Sequence, residues 1–135
     1  MKNILVIDAQ GGGIGKQLIS AIKARELPVN ITAVGTNSVS TAAMLKAGAD
    51  NGATGENPVV VNARSADIIV GPIGIVIADA MFGEITPVMS QAVAQSKATK
   101  ILLPINKCEN IIVGVENLNV SYLIEQAVEE ISKHL

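Results

Sequence analysis

The sequence predicts an α/β fold, a Rossmann-like three-layer sandwich with a mostly parallel sheet of about five strands. Three observations predict it. Short aliphatic and β-branched runs alternate with segments of helical period. The first run ends in Asp8 and a cluster of glycines. The apolar fraction is 49% against only 16% charged residues, which suits strands covered on both faces.

Residues 3–7 (NILVI) form the first continuous apolar run and stop at Asp8. From Ile14 the period changes: Ile14, Leu18, Ala21, Ile22 and Arg25 share one helical face until Pro28 ends the segment. Residues 31–35 make a second strand. Thr36 and Asn37 then cap a small-residue helix over 38–47, closed by Gly48. Residues 48–56 scatter glycines among polar side chains and read as an irregular loop. Asn57 and Pro58 open a short helix, with a strand through Val59, Val60 and Val61 as the alternative.

Residues 67–70 give a third strand that turns sharply at Gly71, Pro72, Ile73 and Gly74, and residues 75–78 follow as a short strand or a helical turn. Thr86 before Pro87 starts a helix that runs to about Ser96. Residues 100–103, ended by Pro104, and residues 111–115 complete the strands. The terminal helix carries Val120, Leu123, Ile124, Ala127, Val128, Ile131 and Leu135 at i, i+3, i+4, i+7 spacing. Parallel neighbours need crossover helices, so the connections are expected to be right-handed and doubly wound. No repeat or linker interrupts the chain, and one domain over 1–135 is expected.

Composition narrows the function. The formal net charge is −2 and the aromatic residues are Phe82 and Tyr122. Neither a basic stripe nor a stacking platform is present, so nucleic acid is not an expected partner. The single cysteine, Cys108, rules out an intrachain disulfide and suits a reducing, cytoplasmic setting. The apolar stretch after Lys2 breaks at Asp8, which argues against a secretory signal, and no run approaches the ~20 apolar residues of a membrane span. One histidine, His134, and one cysteine leave no basis for a zinc site or a Ser/His/Asp triad. Cys108 beside Lys107 is either a nucleophile of lowered pKa or a small buried hydrophobe.

Function concentrates in the run Asp8, Ala9, Gln10, Gly11, Gly12, Gly13, Ile14, Gly15, Lys16, where a strand hands over to a helix. Backbone N–H groups point outward at such a place, and the helix dipole favours an anion. Lys16 would add a positive charge. The run departs from each familiar spacing. GxGxxG counted from Gly11 needs a glycine where Lys16 stands. The short-chain dehydrogenase pattern fits Gly13 and Gly15 but finds Ala9 in place of its first glycine. A Walker loop fits Gly15 and Lys16 yet has Gln10 for its first glycine and Gln17 for its hydroxyl residue. Without that hydroxyl to hold magnesium, phosphoryl transfer is disfavoured. Three consecutive glycines exceed what a simple turn demands, so ligand binding is favoured over a bare turn.

In an open parallel sheet, ligands bind beyond the carboxyl ends of the strands. Besides the glycine run, those ends hold Gly35, Thr36 and Asn37, then Gly71, Pro72 and Gly74, then Asn106. A dinucleotide site wants an acid at the end of the second strand to hold the ribose, and here stand Gly35, Thr36 and Asn37 instead. Asp8 either orients a ligand or cation or caps the glycine loop. Asp79 and Glu84 flank Ala80, Met81, Phe82 and Gly83, a stretch suited to a mobile lid or a subunit contact.

Several long segments together carry a resemblance: Asp8 to Lys16, GTNSVSTAAMLKAGAD from Gly35, GATGENPVVVN from Gly52, GPIGIVIADAMFGEITP from Gly71 and PINKC from Pro104. They resemble a small bacterial Rossmann-like family known only as a domain of unknown function (3842). The likeness spans nearly the whole chain and implies the fold, but it carries no activity and no residue roles.

The expected function is therefore binding of a small anionic metabolite or nucleotide, a nucleotide or dinucleotide being the candidate cofactor, at Gly11, Gly12, Gly13, Gly15 and Lys16. The alternatives are an enzyme, either a degenerate P-loop hydrolase or an NAD(P)-dependent reductase, and an oligomeric scaffold without ligand. A homo-oligomer is expected from the high apolar fraction and sparse charge.

Overall fold

A computed structural model describes residues 1–105 and 109–135. Its elements alternate as the sequence pattern requires: β1 (Lys2–Asp8), α1 (Gly13–Ala24), β2 (Val29–Gly35), α2 (Ser38–Lys46), β3 (Asn51–Thr54), α3 (Glu56–Ala63) and β4 (Ile68–Pro72). A 3-10 helix (Ile73–Val76), α4 (Pro87–Gln95), β5 (Thr99–Leu103) and α5 (Val120–Lys133) follow. The five strands form one sheet in the order β3-β2-β1-β4-β5, and every neighbouring pair is parallel. From β1 the chain winds outward through β2 and β3, then returns to the other side of β1 for β4 and β5. The strand order therefore reverses between β1 and β4, the place where open α/β sheets receive ligands.

Period-two alternation along β1 divides the core between the two faces. Ile4 and Val6 join Leu18, Ile19 and Ile22 of α1, Met44 of α2 and Ile124, Val128 and Ile131 of α5 in one cluster. Leu5 and Ile7 join Val59 of α3, Ile75 of the 3-10 helix and Met89 and Val93 of α4 in the other. This gives three helices on one face, two on the other and a sheet buried between them. Both clusters are almost wholly aliphatic, since neither aromatic residue belongs to them. No helix among the described residues is long and apolar enough to cross a membrane.

Two strand assignments change. Residues 51–54, expected to be loop, are β3, which pairs Thr32–Gly35 of β2 with Asn51–Thr54. An edge strand whose Asn51, Gly52 and Thr54 are exposed has no apolar period to betray it. Backbone pairing and the Asp50 carboxylate, which accepts from the Ile31 N–H at 2.8 Å, hold it in place. Conversely, residues 111–115 are not a strand. Ile111 and Val113 are 87% and 94% exposed, and Gly114 takes φ 89° in a turn. β-Branched residues favour a strand only where a neighbouring strand is there to pair with.

The open alternatives also resolve. The Val59–Val61 run lies within helix α3, capped by Gly55 rather than Asn57. The residues after Gly71 form a helical turn rather than a strand, and that turn is Ile73–Val76.

Gly71 joins the two central strands too closely for any side chain: a Cβ there would collide with the Ile7 carbonyl oxygen, which is backbone and cannot yield. Gly71→Ala is therefore expected to destabilise the fold by about 1–3 kcal/mol or more through overpacking. Urea unfolding of the variant beside the parent chain measures this.

Candidate functional site

The turn from β1 to α1 is built around Asp8. Its side chain is 2% exposed. One carboxylate oxygen accepts from the Ala9 N–H at 2.8 Å and the other from the Gly15 N–H at 2.7 Å. The carboxylate thus folds the chain back on itself and caps the start of α1 from beneath, fulfilling the capping role rather than presenting itself to solvent. Burial pushes its carboxyl above the ordinary value of 3.8. The N–H groups of Gly15, Ala9 and Ile14 pull it back down, and the Glu84 charge adds to the rise.

Above this carboxylate the loop tightens. Gln10 and Gly12 take left-handed φ of 52° and 74°, and the Gly12 N–H bonds the Ala9 carbonyl at 3.0 Å. A side chain at Gly12 would be strained and would meet the Ser40 backbone at 2.9 Å, while one at Gly15 would strike Met44. These two glycines are explained by the fold. Gly11 and Gly13 are not: a Cβ at either position meets nothing within 4 Å, neither residue has a left-handed φ, and both are exposed.

Glu84 closes the site from a direction the sequence did not reveal. After the 3-10 helix the chain passes through left-handed φ at Asp79 (65°), Met81 (56°), Phe82 (58°) and Gly83 (86°). Ala80, Met81 and Ile85 anchor this strap in the core, while Phe82 stands 100% exposed. The strap delivers Glu84 to the ends of β1 and β2. There a single oxygen, Oε1, accepts from the Thr36 hydroxyl (2.6 Å), the Asn37 side-chain amide (2.8 Å) and the Gln10 N–H (2.9 Å). The Asn37 amide also donates to the Gln10 carbonyl at 2.9 Å. Partial burial raises the Glu84 pKa, but the Thr36, Gln10 and Asn37 hydrogen bonds together outweigh it, so the carboxyl lies below its ordinary value of 4.5.

The expected site residues therefore gather in part. Asp8, Gln10, Gly11, Gly12, Gly13, Thr36 and Asn37 form one neighbourhood, closed by the Thr36 N–H on the Asp8 carbonyl at 3.1 Å. Gly35 lies beneath it, paired with both Asp8 and Thr54. Gly71 and Pro72 are buried as the last pairs of β4 with β5, and Gly74 is buried in the 3-10 helix. Ile14 packs against the core. Lys16 is exposed and lines a groove of about 400 Å³ between α1 and α5 with Gln17, Ser20 and Ser121. Asn106, with Lys107 and Cys108, lies outside the described residues.

Glu84 belongs to the site, although the sequence suggested only a lid or contact for its segment. Two side-chain donors at the end of β2 with no acid beside them were the available signal. Among the described residues no group of three or more His, Cys, Asp or Glu is placed to hold a metal ion.

The family model described as Domain of unknown function (DUF3842) matches residues 3–135. The chain belongs to the DUF3842 family. No curated protein matches this DUF3842 chain. Among solved structures, it is similar to the crystal structure of a dodecameric FMN-dependent Ubix-like decarboxylase from Escherichia coli O157:H7. The identity is 13% and the TM-score 0.48, with 98% of this chain and 94% of that chain covered.

Two outcomes follow from the carboxylates. Asp8→Ala leaves the buried Ala9 and Gly15 N–H groups without their acceptor and is expected to cost about 1–3 kcal/mol in urea unfolding. Because the folded pKa of Glu84 lies below its ordinary value of 4.5, the stability it brings is present above that value. It is lost as pH falls through the folded pKa. Thermal unfolding from pH 6 downward to about pH 3 should therefore show a shallower acid decline in Glu84→Gln than in the parent; parallel curves would assign the decline to other groups.

Proposed function

We propose that this chain binds a small anionic metabolite of the nucleotide class across the carboxyl ends of β1 and β2. The anionic group would lie over Gly11 and Gly13. The observation that carries this reading is the contrast among the loop glycines. Gly12 and Gly15 are required by backbone conformation and packing, whereas Gly11 and Gly13 leave open space above the first turn of α1. Glycine loses more backbone freedom on folding than any other residue. A surface kept bare at that expense suits the close approach of a ligand to main-chain N–H groups.

The internal hydrogen bonds support a narrower reading of the loop. Asp8 already takes the Ala9 and Gly15 N–H groups, Glu84 takes that of Gln10 and the Ala9 carbonyl takes that of Gly12. The anion is therefore assigned to the Gly11 and Gly13 N–H groups rather than to the whole loop, with Lys16, exposed in the first turn of α1 beside the groove toward α5, as a mobile positive charge nearby. The reading is one of binding. The described residues around the loop offer two carboxylates and no histidine or cysteine, and Gln17 stands where a phosphoryl-transfer loop needs a hydroxyl.

Gly13→Ala separates this reading from a purely structural turn. The side chain meets nothing, so the fold should be unchanged or more stable by about 0.4–1 kcal/mol. Thermal shifts of the parent chain with a panel of nucleoside diphosphates and with inorganic pyrophosphate should reach about 2.7 kcal/mol at one hundred times the dissociation constant. Those shifts should vanish in the variant. A parent chain unmoved by every member of the panel, or a variant that responds as the parent does, overturns the proposal.

A further inference from the structure

Resting on the reading just given, we infer that Glu84 is a hydroxyl-recognising residue and that the ligand carries a vicinal diol beside its anionic group, as a ribonucleotide does. The placement of the carboxylate carries this. A dinucleotide-type site needs an acid at the end of its second strand to accept from ribose hydroxyls. β2 supplies none, ending in Gly35, Thr36 and Asn37. The strap after β4 brings one there instead, one residue along the loop from Gly11.

Its two oxygens are used unequally. Oε1 is saturated by the Thr36 hydroxyl, the Asn37 amide and the Gln10 N–H, which fix the carboxylate plane. Oε2 has no partner among the described residues. A carboxylate held by one oxygen and open at the other is preorganised to accept from a ligand hydroxyl, and such charge-assisted bonds are the strong ones. A bare phosphate brought to the same oxygen would meet like charge.

A second, independent observation points to a ligand at this loop. The Ser40 hydroxyl is fully buried, has no hydrogen-bond partner among the described residues and faces the Gly12 turn. An unsatisfied buried hydroxyl is costly, and this one lies at the turn over which the ligand is placed.

The test is titration calorimetry of the full chain with ADP, GDP and UDP, each beside its 2′,3′-dideoxy counterpart, and with inorganic pyrophosphate. At least one ribonucleotide should bind about tenfold or more tightly than its dideoxy form, as expected for losing a hydrogen bond to a charged group. Glu84→Gln keeps an oxygen for the Thr36, Asn37 and Gln10 donors, and in it that discrimination should collapse while pyrophosphate affinity is unchanged. Equal binding of ribo and dideoxy forms by the parent overturns the inference and leaves the anion site standing. Tighter binding of every anion by Glu84→Gln also overturns it, because Glu84 would then be an internal competitor. Binding of none, pyrophosphate included, overturns both this inference and the reading beneath it. Glu84→Ala, checked for folding by circular dichroism, repeats the comparison without any acceptor at the position.

Discussion

The buried carboxylate of Asp8 is the constraint on which the rest of the site depends. It sits at the last residue of the central strand and ties the Ala9 and Gly15 N–H groups together from below. The turn is thereby fixed in shape before any outside group approaches. The intervening residues have nowhere to go but outward, and Gln10 and Gly12 accept left-handed conformations to allow it. The same carboxylate answers part of the α1 terminus, which explains how a helix with no acidic residue in its first turn and no side-chain cap at Gly12 begins in this position. A strand end, a helix start and a candidate anion site are thus set by one side chain.

A second layer is added by contacts that are remote in sequence. Thr36 and Asn37 close the end of β2, the strap after β4 supplies Glu84, and three donors converge on one oxygen. Asn37 serves twice, capping α2 through its side-chain oxygen at the Ser40 N–H while its amide reaches Glu84 and the Gln10 carbonyl. Cap, loop and strap are therefore mechanically linked, and displacement of one disturbs the hydrogen bonds of the others. The apolar anchors Ala80, Met81 and Ile85 keep the strap in register with this network.

Much of the architecture was legible in the sequence, because burial on both faces writes itself as unbroken aliphatic runs. β1, β2 and β4 announce themselves in this way, and α5 does so through its regular apolar spacing. β3 was hidden because an exposed edge strand owes its place to backbone pairing and to Asp50, neither of which leaves an apolar pattern. Residues 111–115 misled in the opposite direction: Ile111, Ile112 and Val113 look like a strand, yet among the described residues they pair with no neighbour. The glycine loop was legible as a loop. The division of labour among its glycines was not, since only coordinates show that Gly12 lies against Ser40 while Gly13 faces open space. Glu84 escaped for a related reason, its partners lying 47, 48 and 74 residues away along the chain.

β3 has a bearing on how the molecule lives among its own copies. It is four residues long, its Asn51, Gly52 and Thr54 are exposed and its companion Asp50 carries a charge. Short, polar, glycine-containing borders of this kind resist the addition of a foreign strand and so discourage runaway polymerisation. One flank of the sheet is thereby blunted against strand addition.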